Sequence, residues 1–250
     1  MINLIRGDIR RILSKKTLWF AFILALLGDF GLVMFALFYM KYSTYNYALG
    51  TIAGVADLGG MIIGIAVFLA VYADDFRSMS IISAIGRGQP RWKIVIAKFI
   101  NSVIITSILF AIFTVEVFVL MKIMGMELLP DELIAMYMGV FKGLYVTIGY
   151  VTIAAIFIYA RGNIAFSVFM VVMLYLILPS VIDLSSMLPV LKDIHLERYD
   201  YNGFANSGLS SIFLGMGMSG VLTLILGFII YVGGSLAIIY TVFRKKELDF

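Results

Sequence analysis

The sequence predicts an all-α integral membrane protein, one domain spanning residues 1–250, crossed six times and with both ends on the same side of the bilayer. Three observations predict it. The chain is 62% hydrophobic and only 14% charged, with a mean hydropathy of +1.05, so a soluble fold would have too little polar surface. Six apolar runs reach the roughly 20 residues that a helix needs to cross the hydrocarbon core, near 18–40, 51–72, 94–121, 136–159, 164–182 and 214–242. Lys and Arg alternate in density between the loops that join them.

In chain order, residues 2–16 (INLIRGDIRRILSKK) place Ile2, Ile5, Ile9, Ile12 and Leu13 at helical spacing, with Arg6, Arg10 and Lys15 off that stripe. This pattern predicts a basic amphipathic helix lying in the cytoplasmic interface. The first apolar run is too long for the core of a signal peptide and has no small-x-small cleavage site, so it is expected to remain attached. Continuous runs such as VFMVVMLYLIL (168–178) do not alternate in polarity, which excludes a β-barrel reading.

Orientation follows from the cations, because loops rich in Lys and Arg stay cytoplasmic. One side collects Arg6, Arg10, Arg11, Lys15, Lys16, Arg77, Arg87, Arg91, Lys93, Lys98, Arg161, Arg244, Lys245 and Lys246. The other holds only Lys41, Lys122, Lys192 and Arg198. Both termini are therefore expected in the cytoplasm, in a multi-pass protein of the cell membrane. The net charge of +4 reflects this topology; the cations flank apolar runs instead of forming one basic face, so no nucleic-acid partner is expected. The outward loop 183–213 places Met187, Leu188, Leu191 and Ile194 at near-helical spacing, followed by a Tyr-, Asn- and Gly-rich region read as turns.

Catalytic chemistry is not visible. The only histidine is His195, cysteine is absent, and no metal-ligand cluster or nucleophile elbow occurs. GRGQPRWK (86–93) is no phosphate-cradling loop, since Pro-Arg-Trp stands where small residues are needed. The chain is therefore expected to be no enzyme and to carry no cofactor or metal.

Four charges fall within the apolar runs, and such charges mark function by default: Asp29, Asp57, Glu116 and Lys142. Asp57, Glu116 and Lys142 are expected at similar depth, with Lys142 pairing with Glu116 or Asp57, either to fix helix packing or to contact a substrate. Asp29 has no opposite charge at its depth in this reading. It is protonated, hydrogen-bonded or facing a wet cavity. Small residues four apart, Gly60/Gly64, Gly139/Gly143 and Gly233/Ala237, allow close helix approach within the bundle or against a second copy.

The polar interruption at residues 73–99 (ADDFRSMSIISAIGRGQPRWKIVIAKF) predicts a short helix from Asp74 to Gly86 with Phe76, Met79, Ile82 and Ile85 on one face, ended by GRGQP. Six spans in about 250 residues, the basic amphipathic N-terminus, Asp74-Asp75-Phe76-Arg77 and GRGQPRWKIVIAK (86–98) together resemble the ABC-2 type permeases of ABC exporters. The resemblance covers the whole chain by topology and residues 74–98 by motif. It implies a transmembrane subunit that pairs with a second permease copy, identical or paralogous, and with two copies of a separate ATPase that holds ATP and Mg. It also implies that a coupling helix docks on that ATPase through Asp74, Asp75, Phe76, Arg77, Met79, Ile82 and Ile85, with a second contact at Arg161, Gly162 and Asn163. The chain departs from many relatives in carrying Asp74-Asp75 and Ser78-Met79-Ser80 in place of Glu and a Gly-Thr pair. Small members of this family, including exporters of phenol-soluble modulin-like peptides, suggest a hydrophobic or amphipathic substrate, a peptide first, moved outward across the lipid bilayer. The rival readings are a permease for lipid-linked glycans or drugs, and a membrane immunity protein that binds a peptide without moving it.

Overall fold

The computed structural model describes residues 2–39, 58–78, 80–123, 129–186 and 196–245. Among them every regular element is a helix. Among the described residues four helices are long and apolar enough to cross a membrane, spanning Arg91–Leu120, Pro130–Arg161, Ile164–Ile182 and Gly217–Lys245. The chain is a helical membrane protein. Asp57, Met79, His195 and the predicted stripe Met187, Leu188, Leu191 and Ile194 lie outside the described residues.

The elements follow in order: α1 (Ile2–Leu13), α2 (Lys16–Tyr39), α3 (Gly60–Phe68), α4 (Asp74–Arg77), α5 (Ser80–Gly86), α6 (Arg91–Ile123), α7 (Pro130–Arg161), α8 (Ile164–Val172), α9 (Leu178–Ser186), α10 (Tyr201–Phe213), α11 (Gly217–Phe228) and α12 (Gly234–Lys245). The bundle is organised around α7, which packs against α3, α6, α8, α10 and α12. Its start is set by local chemistry: Pro130 occupies the first turn, and the Glu132 carboxylate accepts the Leu129 N–H at 2.8 Å. Its end is set by Gly162, at φ 69°, a left-handed position that glycine occupies without steric cost. Asn163 then caps α8, its Oδ1 accepting the Phe166 N–H at 3.0 Å.

Single π-helical turns interrupt the helices at Leu69–Ala73 after α3, at Met173–Ile177 between α8 and α9, and at Ile229–Gly233 between α11 and α12. Each contains a tyrosine that packs on another aromatic. Tyr72 meets Tyr159, Tyr175 meets Tyr150, and Tyr231 meets Tyr201. The extra residue per turn rotates the helix after it, and such turns concentrate at functional places. Hydropathy carries no sign of them, because a π turn in an apolar run leaves the run apolar.

The segment 201–213 corrects the sequence reading. It is not a turn region; it is helix α10, started by Asp200, whose Oδ1 accepts the Gly203 N–H at 2.6 Å. Together α10 and α11 form a tight antiparallel hairpin against α7. Gly208, read as a turn former, is a contact point, where a Cβ would lie 2.6 Å from the Leu224 side chain; in the apolar runs, a Cβ on Gly220 would lie 2.4 Å from the Gly208 carbonyl oxygen, and one on Gly149 would lie 1.9 Å from the Tyr201 ring. Tyr201 is buried about midway along α7, donates to the Tyr145 carbonyl at 3.0 Å, and stacks on the Tyr145 ring at 4.6 Å. Small residues thus serve close packing here, as they do at Gly64, where a Cβ would meet Thr147 and Val151 of α7 at 3.5 and 3.6 Å.

Candidate functional site at the charged end of the bundle

The charges between the apolar runs converge at one end of the bundle. Helix α1 is amphipathic as expected: Ile12 is fully buried, Ile9 and Leu13 pack on the core, and Arg6, Gly7 and Arg10 are exposed. Its join to α2 is fixed by Trp19, whose indole N–H donates to the Leu13 carbonyl at 2.7 Å.

The predicted single helix over Asp74–Gly86 is two helices. Ser78 leaves helical geometry at φ −86°, ψ 0°, and its hydroxyl donates back to the Asp74 carbonyl at 2.7 Å. The break shifts the apolar register, so Ile81 is buried, while Phe76, Ile82 and Ile85 are half-buried.

Asp74 and Asp75, adjacent in sequence, have opposite environments. Asp74 is half exposed and accepts from Lys15 Nζ at 2.7 Å; the same ammonium donates to the Ala70 carbonyl at 2.5 Å. Asp75 is 2% exposed and sits inside a network drawn from three helices. Its Oδ1 accepts from Arg11 Nη1 at 2.6 Å and from the Ser80 hydroxyl at 2.9 Å, and its Oδ2 faces Lys98 Nζ. Lys98, buried in the first turns of α6, also reaches Asp8 Oδ2 at 2.5 Å, where Asn101 Nδ2 approaches at 3.3 Å. Asp8 returns to Arg11 at 3.2 Å. Burial would raise the Asp75 carboxyl, but the Arg11 hydrogen bond and the Lys98 charge outweigh it and hold it below the usual carboxylate range. Asp75 is thus an internal strut, and the polar surface of this segment is formed by Asp74, Arg77, Ser78, Ser83 and the turn Gly86–Gln89.

An aromatic junction holds the other side of the segment. Phe76 meets the Tyr159 ring edge-on at 5.1 Å, and Tyr159 meets Phe243 of α12 at 5.1 Å. Arg91, opening α6, donates to the Phe243 and Arg244 carbonyls at 2.6 and 2.8 Å, closing the last turn of α12. Arg161 lies two residues beyond Tyr159 and places its guanidinium over Phe166 at 5.0 Å. The segment from Asp74 to Ile85 thus meets α7 and α12 through Phe76, Tyr159 and Phe243, whereas Arg161 in the α7–α8 turn packs on a separate aromatic pair, Phe166 and Phe157.

Of the intramembrane charges, Glu116 has its Oε2 buried without a hydrogen-bond partner, and Asp57, the other expected partner of Lys142, lies outside the described residues. Asp29 is 7% exposed, its Oδ2 also lacks a donor, and it lies within electrostatic reach of Glu116. Lys142 is half-buried on a separate cavity of about 460 Å³, alongside Asn206 and Ser210 of α10.

In the sequence Arg11, Lys15 and Lys98 mark only topology, and Asp8 and Asn101 are not singled out. One signal was available: Asp8 is the only acid in the basic stretch 2–16 and stands three residues before Arg11, as helical ion pairs do. No family model, curated protein or solved structure matches the chain.

Proposed function

We propose that the chain is the transmembrane subunit of an exporter driven by a separate ATPase, with six spans, both termini in the cytoplasm, and α4–α5 as the element on which the ATPase acts. The observation that carries the reading is the way α4–α5 is mounted. It lies between the apolar helix α3 and the long apolar helix α6, and presents polar surface at Arg77, Ser78 and Ser83. It is tied to α1 and α6 through Asp74 and Asp75, and to α7 and α12 through Phe76.

A load applied to the exposed face of such a segment reaches four other helices through contacts that do not slide. Buried ion pairs resist separation, because pulling one partner away leaves an uncompensated charge. Edge-on aromatic contacts have preferred geometries. The π turn at Leu69–Ala73, directly before Asp74, has a looser hydrogen-bond ladder than the α-helix preceding it, and it is where α3 accommodates tilting of the segment. Closure of two ATPase subunits on ATP would move α4–α5 and the neighbouring Arg161–Asn163 turn, reshaping the surface between two copies of this chain. The greasy faces of the bundle suit a hydrophobic or amphipathic cargo, a peptide first.

The test is purification of the chain from its native membrane and identification of an ATPase bound to it. Retention of such a subunit, lost in Arg77→Glu and kept in Lys122→Glu at the far end of α6, supports the reading. ATPase activity of that complex stimulated by an amphipathic peptide supports export; a chain that binds peptide with no ATPase partner contradicts it.

A further inference from the structure

A cavity of about 650 Å³ lies between α7, α9, the start of α10 and α12. Two of the π turns open onto it, one through Leu174 and the other through Ile230 and Tyr231. Turns of that kind concentrate at functional places. Most of the wall is aliphatic or aromatic, and among the described residues the one charged group in it is Asp200. The tyrosines beside Asp200 have committed hydroxyls. Tyr201 donates to the Tyr145 carbonyl and Tyr231 to the Tyr199 carbonyl, and the rings of Tyr201 and Tyr231 lie 5.4 Å apart. What they offer a ligand is ring surface. One hydroxyl in the wall is uncommitted. Thr152 and Ser167 turn theirs to carbonyls four residues back, as such side chains do in apolar helices. Ser235, 5% exposed and lining this cavity, makes no hydrogen bond among the described residues. A buried polar group without a partner calls for an explanation.

We propose that this cavity binds an organic ammonium group that carries an apolar tail. The ammonium sits beside the Asp200 carboxylate and the rings of Tyr199 and Tyr231, and the Ser235 oxygen, one helical turn beyond Tyr231, is a further acceptor for its N–H groups. Carboxylates take charge-assisted hydrogen bonds, and tyrosine rings attract cations through their faces. The tail lies along Leu174, Leu178, Ile230 and Ile238. The size fits, since the volume falls inside the roughly 300–1,000 Å³ of organic ligand sites. The chemistry of the wall selects the class. A lone carboxylate among rings and aliphatic side chains is a poor cage for a metal ion, which takes several oxygens. An anion would meet Asp200 with no cation in the described wall to hold it. An ammonium with an apolar tail is supplied either by a free amphipathic amine or by the headgroup of phosphatidylethanolamine. The inference does not depend on an ATPase partner.

The experiment titrates the full chain in detergent with phenylbutylamine, phenylbutanol and phenylbutyrate, three ligands of one skeleton and different charge, by calorimetry against empty micelles. The same chain in nanodiscs of phosphatidylglycerol with a minor fraction of phosphatidylethanolamine is read by native mass spectrometry. Asp200→Asn keeps a side-chain oxygen to cap α10 and removes the charge, so it tests the site with the helix start intact. Asp131→Asn removes an exposed carboxylate at the start of α7, off the cavity. The wild type should bind the amine saturably and more tightly than the alcohol or the acid. Asp200→Asn should weaken the amine roughly tenfold, Ser235→Ala about threefold, and Asp131→Asn should match the wild type. If one phosphatidylethanolamine is retained by the wild type and lost in Asp200→Asn, the site holds and its source is the lipid headgroup; if none is retained and the amine binds as above, the source is a free amine. Absence of Asp200-dependent binding in both measurements, or an alcohol that binds as tightly as the amine, overturns the inference.

Discussion

Replacing Asp75 by Asn leaves the shape of the side chain and removes the charge at the centre of the ion-pair network. The carboxylate takes contacts from Arg11, Ser80 and Lys98 while almost fully buried. Breaking a buried pair from one side costs about 3–5 kcal/mol. Two features reduce that here: the Arg11 side chain is 40% exposed, and Asp8 remains as a partner for both cations. A loss of about 2–4 kcal/mol is expected, or roughly 5–12 °C in the melting temperature of a chain this size. Asp74→Asn removes a contact between Lys15 and a half-exposed carboxylate, expected to cost under about 1 kcal/mol and no more than a few degrees. The assay is thermal unfolding of the purified chain in detergent, with the double variant Arg11→Gln/Asp75→Asn to measure coupling. A melting temperature of Asp75→Asn within about 2 °C of wild type, or a larger loss for Asp74→Asn, would refute the assignment of Asp75 as the strut.

The pH dependence follows from the same group. Because the Asp75 carboxyl is held below its ordinary value in the folded chain, its stabilisation is present above the unfolded value near ~3.9 and is lost as pH falls through the folded value; the gap between wild type and Asp75→Asn should close in acid and stay constant between about pH 5 and 8. Gly220→Ala should destabilise by about 1–3 kcal/mol in the same melting assay, since its methyl would meet the Gly208 carbonyl, whereas Gly233→Ala, with open space around it, should be near neutral. Tyr201→Phe, which removes a buried hydrogen bond to the Tyr145 carbonyl, should cost about 1 kcal/mol by thermal shift. Asp29→Asn and Glu116→Gln should leave the melting temperature unchanged or raise it, because each carboxyl has a buried oxygen without a donor; a fall of several degrees in either would reveal a partner absent from this arrangement.

What was legible in the sequence is what the bilayer dictates. Length and apolarity mark the long helices, and Leu129-Pro130 through Glu132 and Arg161-Gly162-Asn163 punctuate α7 with familiar end chemistry. The amphipathic α1 was readable for the same reason, since its apolar stripe has the helical period. Missed features depend on what meets what. Asp74 and Asp75 are one motif in the text, yet one is at the surface and the other is buried, because about 100° of helix rotation separates their directions and Arg11 and Lys98 stand on only one side. Gly203 and Gly208 read as turns because turn and close-packing glycines look alike until the facing helix is known. Depth alone places Lys142 beside Glu116 or Asp57, but depth does not fix azimuth, and Glu116 lies within electrostatic reach of Asp29.

The reading of α4–α5 as a surface that an ATPase engages requires that this end of the bundle lie in the cytoplasm. The chain has no cysteine, so Ser78→Cys places a single thiol on the exposed break between α4 and α5. A membrane-impermeant maleimide should label that thiol only after the cells are permeabilised. Equal labelling in intact cells would put the charged end outside and contradict the account.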